Sequence, residues 1–158
     1  MTKRMVRQMT RAILHLQQIS IQDEYGTPRD LYTKAKQDYS VYPLLDACSN
    51  HINKKCPLYF DIEKDALRQE WSFDFFMNPP YSKIQSFMSY AYSQHLKHNV
   101  NGLCLVYSKT DTRWWHQYVE GKAEVHFIKG RIKFEDEFGN PTKHPAPYPS
   151  CWVIWRKK

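Results

Sequence analysis

The chain has 158 residues, which is enough for one domain with a substantial core and too few for two domains. Hydrophobic residues make up 42% of the chain, which excludes a disordered polyelectrolyte. Its apolar runs are only a few residues long, which excludes a bilayer span. The net charge of +7 favours a polyanionic partner, either a nucleic acid or a membrane surface.

The N-terminal segment and the cysteines predict an intracellular protein. Residues 1–22 are basic and lack the uninterrupted apolar stretch of a signal peptide, so we expect a protein that is not secreted. We interpret this segment as a basic arm or peripheral helix that precedes a single domain at 23–158. The four cysteines contain no CxxC pair, and Cys104 and Cys151 lie in apolar runs, which favours buried free thiols.

The first half of the domain predicts one helix followed by two short strands. Thr27 and Pro28 are typical of a helix start, with Thr27 as the N-cap and Pro28 in the first turn. Leu31, Tyr32, Ala35 and Tyr39 would form the buried face of that helix. The apolar run 41–47 predicts a buried strand that ends at Asp46, and 58–61 predicts a second strand. Residues 62–70 are typical of a helix or turn.

The second half predicts further alternation of strands and helices. The strand at 73–77 must end at Asn78, because the two prolines that follow have no N–H for the ladder. Ser82 and Gln85 predict a capping box for the next helix. A strand at 102–109, a short helix at 111–119 and strands at 123–129 and 151–156 complete the chain, with a proline-rich loop at 140–149. This order predicts an α/β sandwich with a mainly parallel sheet and an antiparallel edge.

The residues that follow the third strand carry the clearest chemistry. In an open α/β sheet, ligands gather at the carboxyl ends of the strands. Asn78 supplies an amide oxygen there, Pro79 and Pro80 are stiff, and Tyr81 presents a flat aromatic face. This slot suits a planar ring that carries an amino group. If Asn78 Oδ1 and the Pro79 carbonyl accept both amino hydrogens, the nitrogen becomes more tetrahedral and more nucleophilic.

Each of these features also has a purely structural interpretation. Two consecutive prolines are typical of a turn that ends a strand. Asp46 is compatible with a helix cap, and Asp61 and Asp65 with surface carboxylates. Cys48, His51 and Cys56 have irregular spacing and no fourth ligand nearby, so we predict no metal site.

From about residue 23 to its end, the sequence resembles the phage DNA N-6-adenine methyltransferase (Dam) family. The tetrapeptide Asn-Pro-Pro-Tyr also occurs in enzymes that methylate protein glutamine or RNA, but its order among the other stretches is more specific. The matching stretches are residues 25–28, 45–50, 65–67, 76–82, 110–115 and 127–134.

The resemblance implies an abbreviated Rossmann-like sandwich and a methyl transfer from S-adenosylmethionine to the exocyclic amine of a flipped adenine in DNA, without a metal. It places Asn78, Pro79, Pro80 and Tyr81 at the catalytic centre. It places the cofactor at the following residues: Tyr25, Thr27, Pro28, Asp46, Ala47, Cys48, Asp61, Asp65, Leu67 and Asn78. Of these, Asp61 would bind the ribose hydroxyls by analogy with other Rossmann-like sites.

The DNA is expected to contact residues that follow the later strands. The predicted substrate-binding residues are Tyr81, Ser82, Lys109, Arg113, Trp115 and Arg131. Trp114 and Trp115 lie about 100° apart on a helix, so we expect one in the core and the other at the base pocket or the DNA. A solvated face remains the alternative for the basic residues. The alternatives for the function are methylation of cytosine N4, RNA or protein glutamine, and non-catalytic nucleic-acid binding. We expect a monomer or homodimer without membrane contact.

Overall fold

The structure is a computed structural model that describes residues 2–3, 5–8, 25–136 and 138–158. The predicted basic arm at 1–22 therefore lies largely outside the described residues. In its described part, residues 5–8 are helical and exposed. The domain boundary at 22/23 stays a prediction.

The described chain alternates strands and helices, as the sequence predicts. In chain order the elements are α1 (Arg29–Tyr39), β1 (Leu45–Asp46), β2 (Leu58–Tyr59), β3 (Phe75–Met77), α2 (Ile84–His98), β4 (Gly102–Tyr107), α3 (Arg113–Tyr118), β5 (Glu124–Phe127) and β6 (Ser150–Trp155). Single 3-10 turns occupy Ala66–Arg68 and Tyr81–Lys83. The first strand is much shorter than the predicted 41–47, since Pro43 cannot donate to a ladder.

All six strands belong to one sheet in the order β2-β1-β3-β4-β6-β5. The pairs β1–β2, β1–β3 and β3–β4 are parallel, whereas β6 is antiparallel to both β4 and β5. The predicted mainly parallel α/β sheet is confirmed, although the antiparallel strand lies one position inside the edge. Between β1 and β3 the chain forms only β2 and a three-residue 3-10 turn, so the predicted abbreviation is also confirmed.

The sheet is buried on both faces, which makes the fold a three-layer sandwich. Successive strand residues alternate between the two faces, so Phe75 and Met77 join one core cluster and Phe76 joins the other. The first cluster packs against α2 and α3, and the second packs against α1 and the segment 128–146. Cys104 and Cys151 are buried free thiols, as predicted.

Gly102 opens β4 at a point where no side chain fits. A Cβ on this residue would lie 2.6 Å from Phe75 Cζ and 3.0 Å from Trp155 Cε3. Both rings are fully buried in the first core cluster, so neither can move aside without disturbing its neighbours. The glycine therefore lets the rings of β3 and β6 pack over the start of β4.

Two predicted helix starts are wrong, and both lie beside the site. Pro28, not Thr27, is the N-cap of α1, and no side chain caps that helix. Lys83 is the N-cap of α2, which follows a 3-10 turn instead of the predicted capping box of Ser82 and Gln85. Gln85 donates instead to Gln117 Oε1 at 3.1 Å.

The predicted buried face of α1 is partly confirmed. Tyr32 and Ala35 of α1 are fully buried. On α2, Leu96 is 54% exposed, whereas the polar residues Gln94 and His95 are buried. Gln94 accepts a hydrogen bond from the Trp71 backbone N–H at 2.9 Å, which satisfies its buried amide oxygen. None of the helices in the described ranges is long and apolar enough to cross a membrane.

Candidate active site

The carboxyl ends of β1, β2 and β3 open onto a cleft of about 720 Å³. A cleft of this size is typical of a cofactor or small-molecule site. Every predicted cofactor residue except Pro28 lines it. Those residues are Tyr25, Thr27, Asp46, Ala47, Cys48, Asp61, Asp65, Leu67 and Asn78. Pro28 is the N-cap of α1 and does not line the cleft.

A second, smaller cavity of about 40 Å³ lies next to the cleft. Asn78, Pro79 and Tyr81 line it on one side. The remaining lining residues are Tyr25, Ile84, Leu105, Val106, Tyr107, Phe134 and Ser150. Tyr25 and Asn78 line both spaces, so the cleft and the cavity meet at these two residues. The predicted catalytic residue Pro80 lines the cleft.

The Asn78 side chain is fixed at the boundary between the two spaces. Its Nδ2 donates to Thr27 Oγ1 at 3.1 Å and to the Tyr25 carbonyl at 3.3 Å. The Tyr25 carbonyl can only accept, so it fixes the direction of the amide with the nitrogen toward Tyr25; the Thr27 hydroxyl then accepts as well. No donor in the described part of the chain reaches Asn78 Oδ1, and none reaches the Pro79 carbonyl. Two acceptors are thus available beside the small cavity.

Asp46 at the end of β1 is buried and organises the loop that follows. Its Oδ1 accepts from the Cys48 backbone N–H at 3.3 Å, and its Oδ2 accepts from the Lys55 backbone N–H at 2.9 Å. Burial raises the pKa of this carboxyl to about 6 despite these two donors. Asp46 therefore shapes the wall of the cleft by holding both ends of the 48–55 loop.

The two carboxylates on the far side of the cleft differ in their surroundings. Asp61 lies two residues beyond β2, and its Oδ1 accepts from the Lys64 backbone N–H at 3.0 Å. Asp65 forms an exposed ion pair with Arg68 at 3.3 Å. Since Asp61 sits at a strand end and has no cation paired to it among the described residues, its second oxygen is the better placed of the two to accept from a ligand hydroxyl.

Tyr81 belongs to an aromatic cluster at the outer side of the small cavity. Its ring centroid lies 4.7 Å from that of Tyr107 and 6.5 Å from that of Tyr148. The Lys109 ammonium lies 3.4 Å from the centre of the Tyr148 ring and 5.7 Å from that of Tyr81. Lys109 therefore contacts Tyr81, a predicted catalytic residue, through a cation–π interaction and also presents a positive charge.

The other predicted DNA-binding residues are not brought together around the cavity. Trp115 is 7% exposed and packs with Trp114 in the first core cluster, so the expectation that one of the two faces the base or the DNA is wrong. The short α3 turns both indole rings toward α2 and the sheet. Arg131 is exposed, but its Nη1 donates to the Pro147 carbonyl at 2.5 Å. Arg113 and Ser82 are exposed outside both spaces.

Several side chains at the site escaped the sequence predictions. Lys55 lines the cleft, Ser150 lines the small cavity, and Tyr148 packs on Tyr81. Their positions depend on the 48–55 loop and on how the proline-rich segment leads into β6, which no local pattern specifies. The described residues contain no group of three histidine, cysteine or acidic side chains arranged to hold a metal ion.

Comparison with known proteins identifies the family. Residues 16–158 match the family described as DNA N-6-adenine-methyltransferase (Dam). The DNA N-6-adenine-methyltransferase of Haemophilus phage HP1 is 30% identical over 126 residues, which cover 78% of this chain and 73% of the phage protein. The DNA N-6-adenine-methyltransferase of Escherichia phage T1 is 28% identical over 123 residues, which cover 77% of this chain but only 50% of that relative. The chain therefore belongs to the DNA N-6-adenine-methyltransferase family, and it is an enzyme that methylates the N6 amine of adenine in DNA.

Proposed function

We propose that the large cleft binds S-adenosylmethionine and that the small cavity receives an adenine flipped out of DNA, with Asn78 between them. The observation that supports this most directly is the fixed amide of Asn78. Its nitrogen is held by Thr27 and Tyr25, so its oxygen remains available where cleft and cavity meet. A methyl donor and a methyl acceptor must approach each other at such a boundary.

The residues of the cleft fit the chemical groups of this cofactor. Leu67 and Phe60 offer apolar surface for a purine ring, and Asp61 offers a carboxylate oxygen for ribose hydroxyls. In the described ranges, Lys55 and Lys83 are the lysines that line the cleft, and Lys55 is the more buried. We assign the cofactor carboxylate to Lys55. When bound, the cofactor supplies a methyl group already activated on a sulfonium, which needs no metal for activation.

Asn78 and Pro79 perform the chemical work on the target base. Asn78 Oδ1 and the Pro79 carbonyl accept the two hydrogens of the adenine amine, which localises the lone pair on nitrogen. The same two oxygens stabilise the positive charge that develops on the nitrogen as the new N–C bond forms and the bond from that carbon to the sulfonium sulfur breaks; the methylated amine then releases one proton to solvent. Pro80 keeps the backbone stiff, and the Tyr81 ring stacks on the base, which offsets about 1–3 kcal/mol of the cost of flipping it out.

The DNA itself is expected to contact the basic residues around the small cavity. Lys109, Arg113 and Arg131 are the phosphate contacts that we propose, of which Lys109 is nearest to Tyr81. The net charge of +7 adds a non-specific attraction to the backbone. We further propose that the enzyme acts inside the cell as a monomer or homodimer.

Labelled S-adenosylmethionine, DNA and nucleoside analysis test the proposal directly. We expect label in N6-methyladenine and saturable binding of the cofactor by calorimetry. Label in N4-methylcytosine would show that the target base is cytosine. Label in RNA or in protein glutamine would show that the substrate is not DNA. Salt-dependent DNA binding without cofactor binding would instead indicate a non-catalytic protein and overturn the proposal.

The variant Asn78→Ala tests the acceptor role. Turnover should fall about a hundredfold to a thousandfold, because one fixed polar group at the reacting atom is lost. Cofactor binding should stay within a few fold of the wild type. Asn78→Asp retains an acceptor oxygen but loses the donor to Tyr25, so it should keep more turnover than Asn78→Ala. Full turnover of Asn78→Ala would contradict the assignment.

A further inference from the structure

We propose that the Ser150 hydroxyl donates a hydrogen bond to a ring nitrogen of the flipped adenine, next to the amine that Asn78 and Pro79 hold. This inference rests on the proposed function and names a base-recognition residue for it. Ser150 would act as a specificity-determining residue that contacts the substrate.

The first observation is a buried hydroxyl without a partner. Ser150 is 2% exposed, and its Oγ has no hydrogen-bond partner among the described residues. A buried polar group in this state is unfavourable, and it calls for a ligand or an ordered water. The other two buried hydroxyls flagged in the same way, Ser49 and Ser108, face Asp46 and Cys151, and of the three only Ser150 lines the small cavity.

The second observation is where the sheet places this residue. Ser150 is the first residue of β6 and pairs with Tyr107, the last residue of β4. Because β6 runs antiparallel to β4, its first residue lies at the edge where the parallel strands end. Ser150 therefore lines the same 40 Å³ cavity as Asn78 and Pro79, although it is far from both in the sequence.

The chemistry of the cavity suits a ring nitrogen. Ile84, Leu105, Val106 and Phe134 give it apolar walls, so a polar edge of a base entering it needs specific partners. In adenine the carbon that bears the amine lies between N1 on one side and the fused ring with N7 on the other. Both nitrogens are acceptors, and a hydroxyl can rotate to donate to either.

A purine exceeds the volume of this cavity, so the base must displace neighbours to enter. At about 40 Å³ the cavity accommodates only a few water molecules. The adjacent aromatic cluster contains Tyr148, which is 42% exposed, and its ring lies 5.3 Å from that of Tyr107. Movement of these rings would widen the cavity without disturbing Ser150, which is fixed in β6.

The test compares Ser150→Ala with the matched variant Ser108→Ala on DNA that carries adenine, 1-deazaadenine or 7-deazaadenine at the target. On adenine, Ser150→Ala should lose about tenfold in kcat/KM, since one hydrogen bond in the bound state is lost. Wild type should lose a similar factor on whichever analogue lacks the contacted nitrogen, and Ser150→Ala should lose no further activity on that analogue. Ser108→Ala should behave as wild type.

Two outcomes would overturn the inference. One is that the wild type methylates both deaza targets as fast as adenine. This result is obtained with the wild type alone, so it does not depend on whether a variant folds. The other is a Ser150→Ala enzyme that discriminates the analogues as wild type does, with an unchanged melting temperature. Neither outcome affects the proposed function, which is tested separately by label in N6-methyladenine, by cofactor binding and by the Asn78→Ala variant.

Discussion

The large cleft and the small cavity lie along the same edge of one sheet, yet they are built in different ways. The cleft follows strands of two or three residues, so long loops after β1 and β2 form its walls. The cavity lies beside β4 and β6, which are six residues each, and strand side chains form much of its lining. Where the strands are short, the loops that follow them form a polar binding site. Where the strands are long, their own side chains form a rigid apolar cavity.

The charges follow the same division. The cleft contains a buried carboxylate and a half-buried lysine, whereas the cavity is lined by aliphatic residues, aromatic rings and one buried hydroxyl. Charged groups suit a zwitterionic cofactor, and neutral polar groups suit a base that carries no charge. The difference implies that removing a charge from the cleft should affect stability and cofactor binding, whereas the lining of the cavity acts through neutral hydrogen bonds.

The largest effect is expected from Asp46→Asn, measured as the pH dependence of stability. Burial raises the pKa of Asp46 to about 6 from its usual 3.8, so the folded state holds this proton more tightly than the unfolded chain. The contribution of Asp46 to stability is therefore greatest below pH 4 and falls as the pH rises to about 6. Between pH 4 and 7, wild type should lose about 2 kcal/mol relative to Asp46→Asn.

Denaturant unfolding of the cofactor-free protein at several pH values measures this change. The difference in the free energy of unfolding at a single pH does not report on titration, because Asp46→Asn also loses a hydrogen bond: asparagine cannot accept from both the Cys48 and the Lys55 N–H groups. Only the change of this difference with pH tests the pKa of Asp46. Asp61→Asn controls for the loss of one negative charge at the cleft. A constant difference between wild type and Asp46→Asn across the range would refute the prediction.

A smaller effect is expected when Lys55 is replaced by glutamine. The Lys55 ammonium is half-buried, lines the cleft and donates to the Asn53 carbonyl at 2.7 Å, and burial lowers its pKa. A ligand carboxylate would compensate for this burial. Lys55→Gln should therefore weaken the binding of S-adenosylmethionine about tenfold, as measured by calorimetry.

Decarboxylated S-adenosylmethionine makes the Lys55 experiment specific. This analogue lacks only the proposed partner group, so wild type and Lys55→Gln should bind it within about twofold of each other. Lys54→Gln is the matched control, because Lys54 is the preceding lysine and lies over the Tyr59 ring instead. If Lys83→Gln rather than Lys55→Gln removes the preference for the carboxylate, the assignment to Lys55 is wrong.

The sequence predicts the positions of the strands and the edge of the sheet that carries the site. Proline after Asn78 ends β3 by removing ladder donors, and a polar loop follows Asp46, so both strand ends are visible in the local pattern. The family resemblance also predicts that the segment at 25–28 belongs to the site. Hydrophobic periodicity does not indicate that this segment contacts Asn78. All of these features depend on short stretches of chain.

The errors arise where distant segments compete for the same group. Thr27 has the sequence pattern of a helix cap, but its hydroxyl accepts from Asn78 instead. Trp115 has the composition of a base-stacking residue, but the core between α2 and the sheet buries it. Lys55 and Ser150 have no local signal at all, since only the folded sheet brings them to the site. Local propensity is overridden at these positions by tertiary contacts.

The smallest effect is expected from Thr27→Val, which acts on the boundary between the two spaces. Valine preserves the volume of the buried threonine but cannot accept from Asn78 Nδ2, which then has only the Tyr25 carbonyl. The loss of one neutral hydrogen bond should lower kcat about threefold to tenfold. The dissociation constant of S-adenosylmethionine should hardly change, because Thr27 acts here as a positioning residue for Asn78.

The matched control is Thr33→Val on the exposed face of α1, which should leave kcat unchanged. Combining Thr27→Val with Asn78→Ala separates positioning from general destabilisation. If Thr27 acts only through Asn78, the double variant should be no slower than Asn78→Ala alone, since the group it orients is already absent. Additive losses in the double variant would mean that Thr27 affects turnover by another route. The orientation of Asn78 at the boundary between the cleft and the cavity would then matter less for methyl transfer than its hydrogen bonds to Thr27 and Tyr25 indicate.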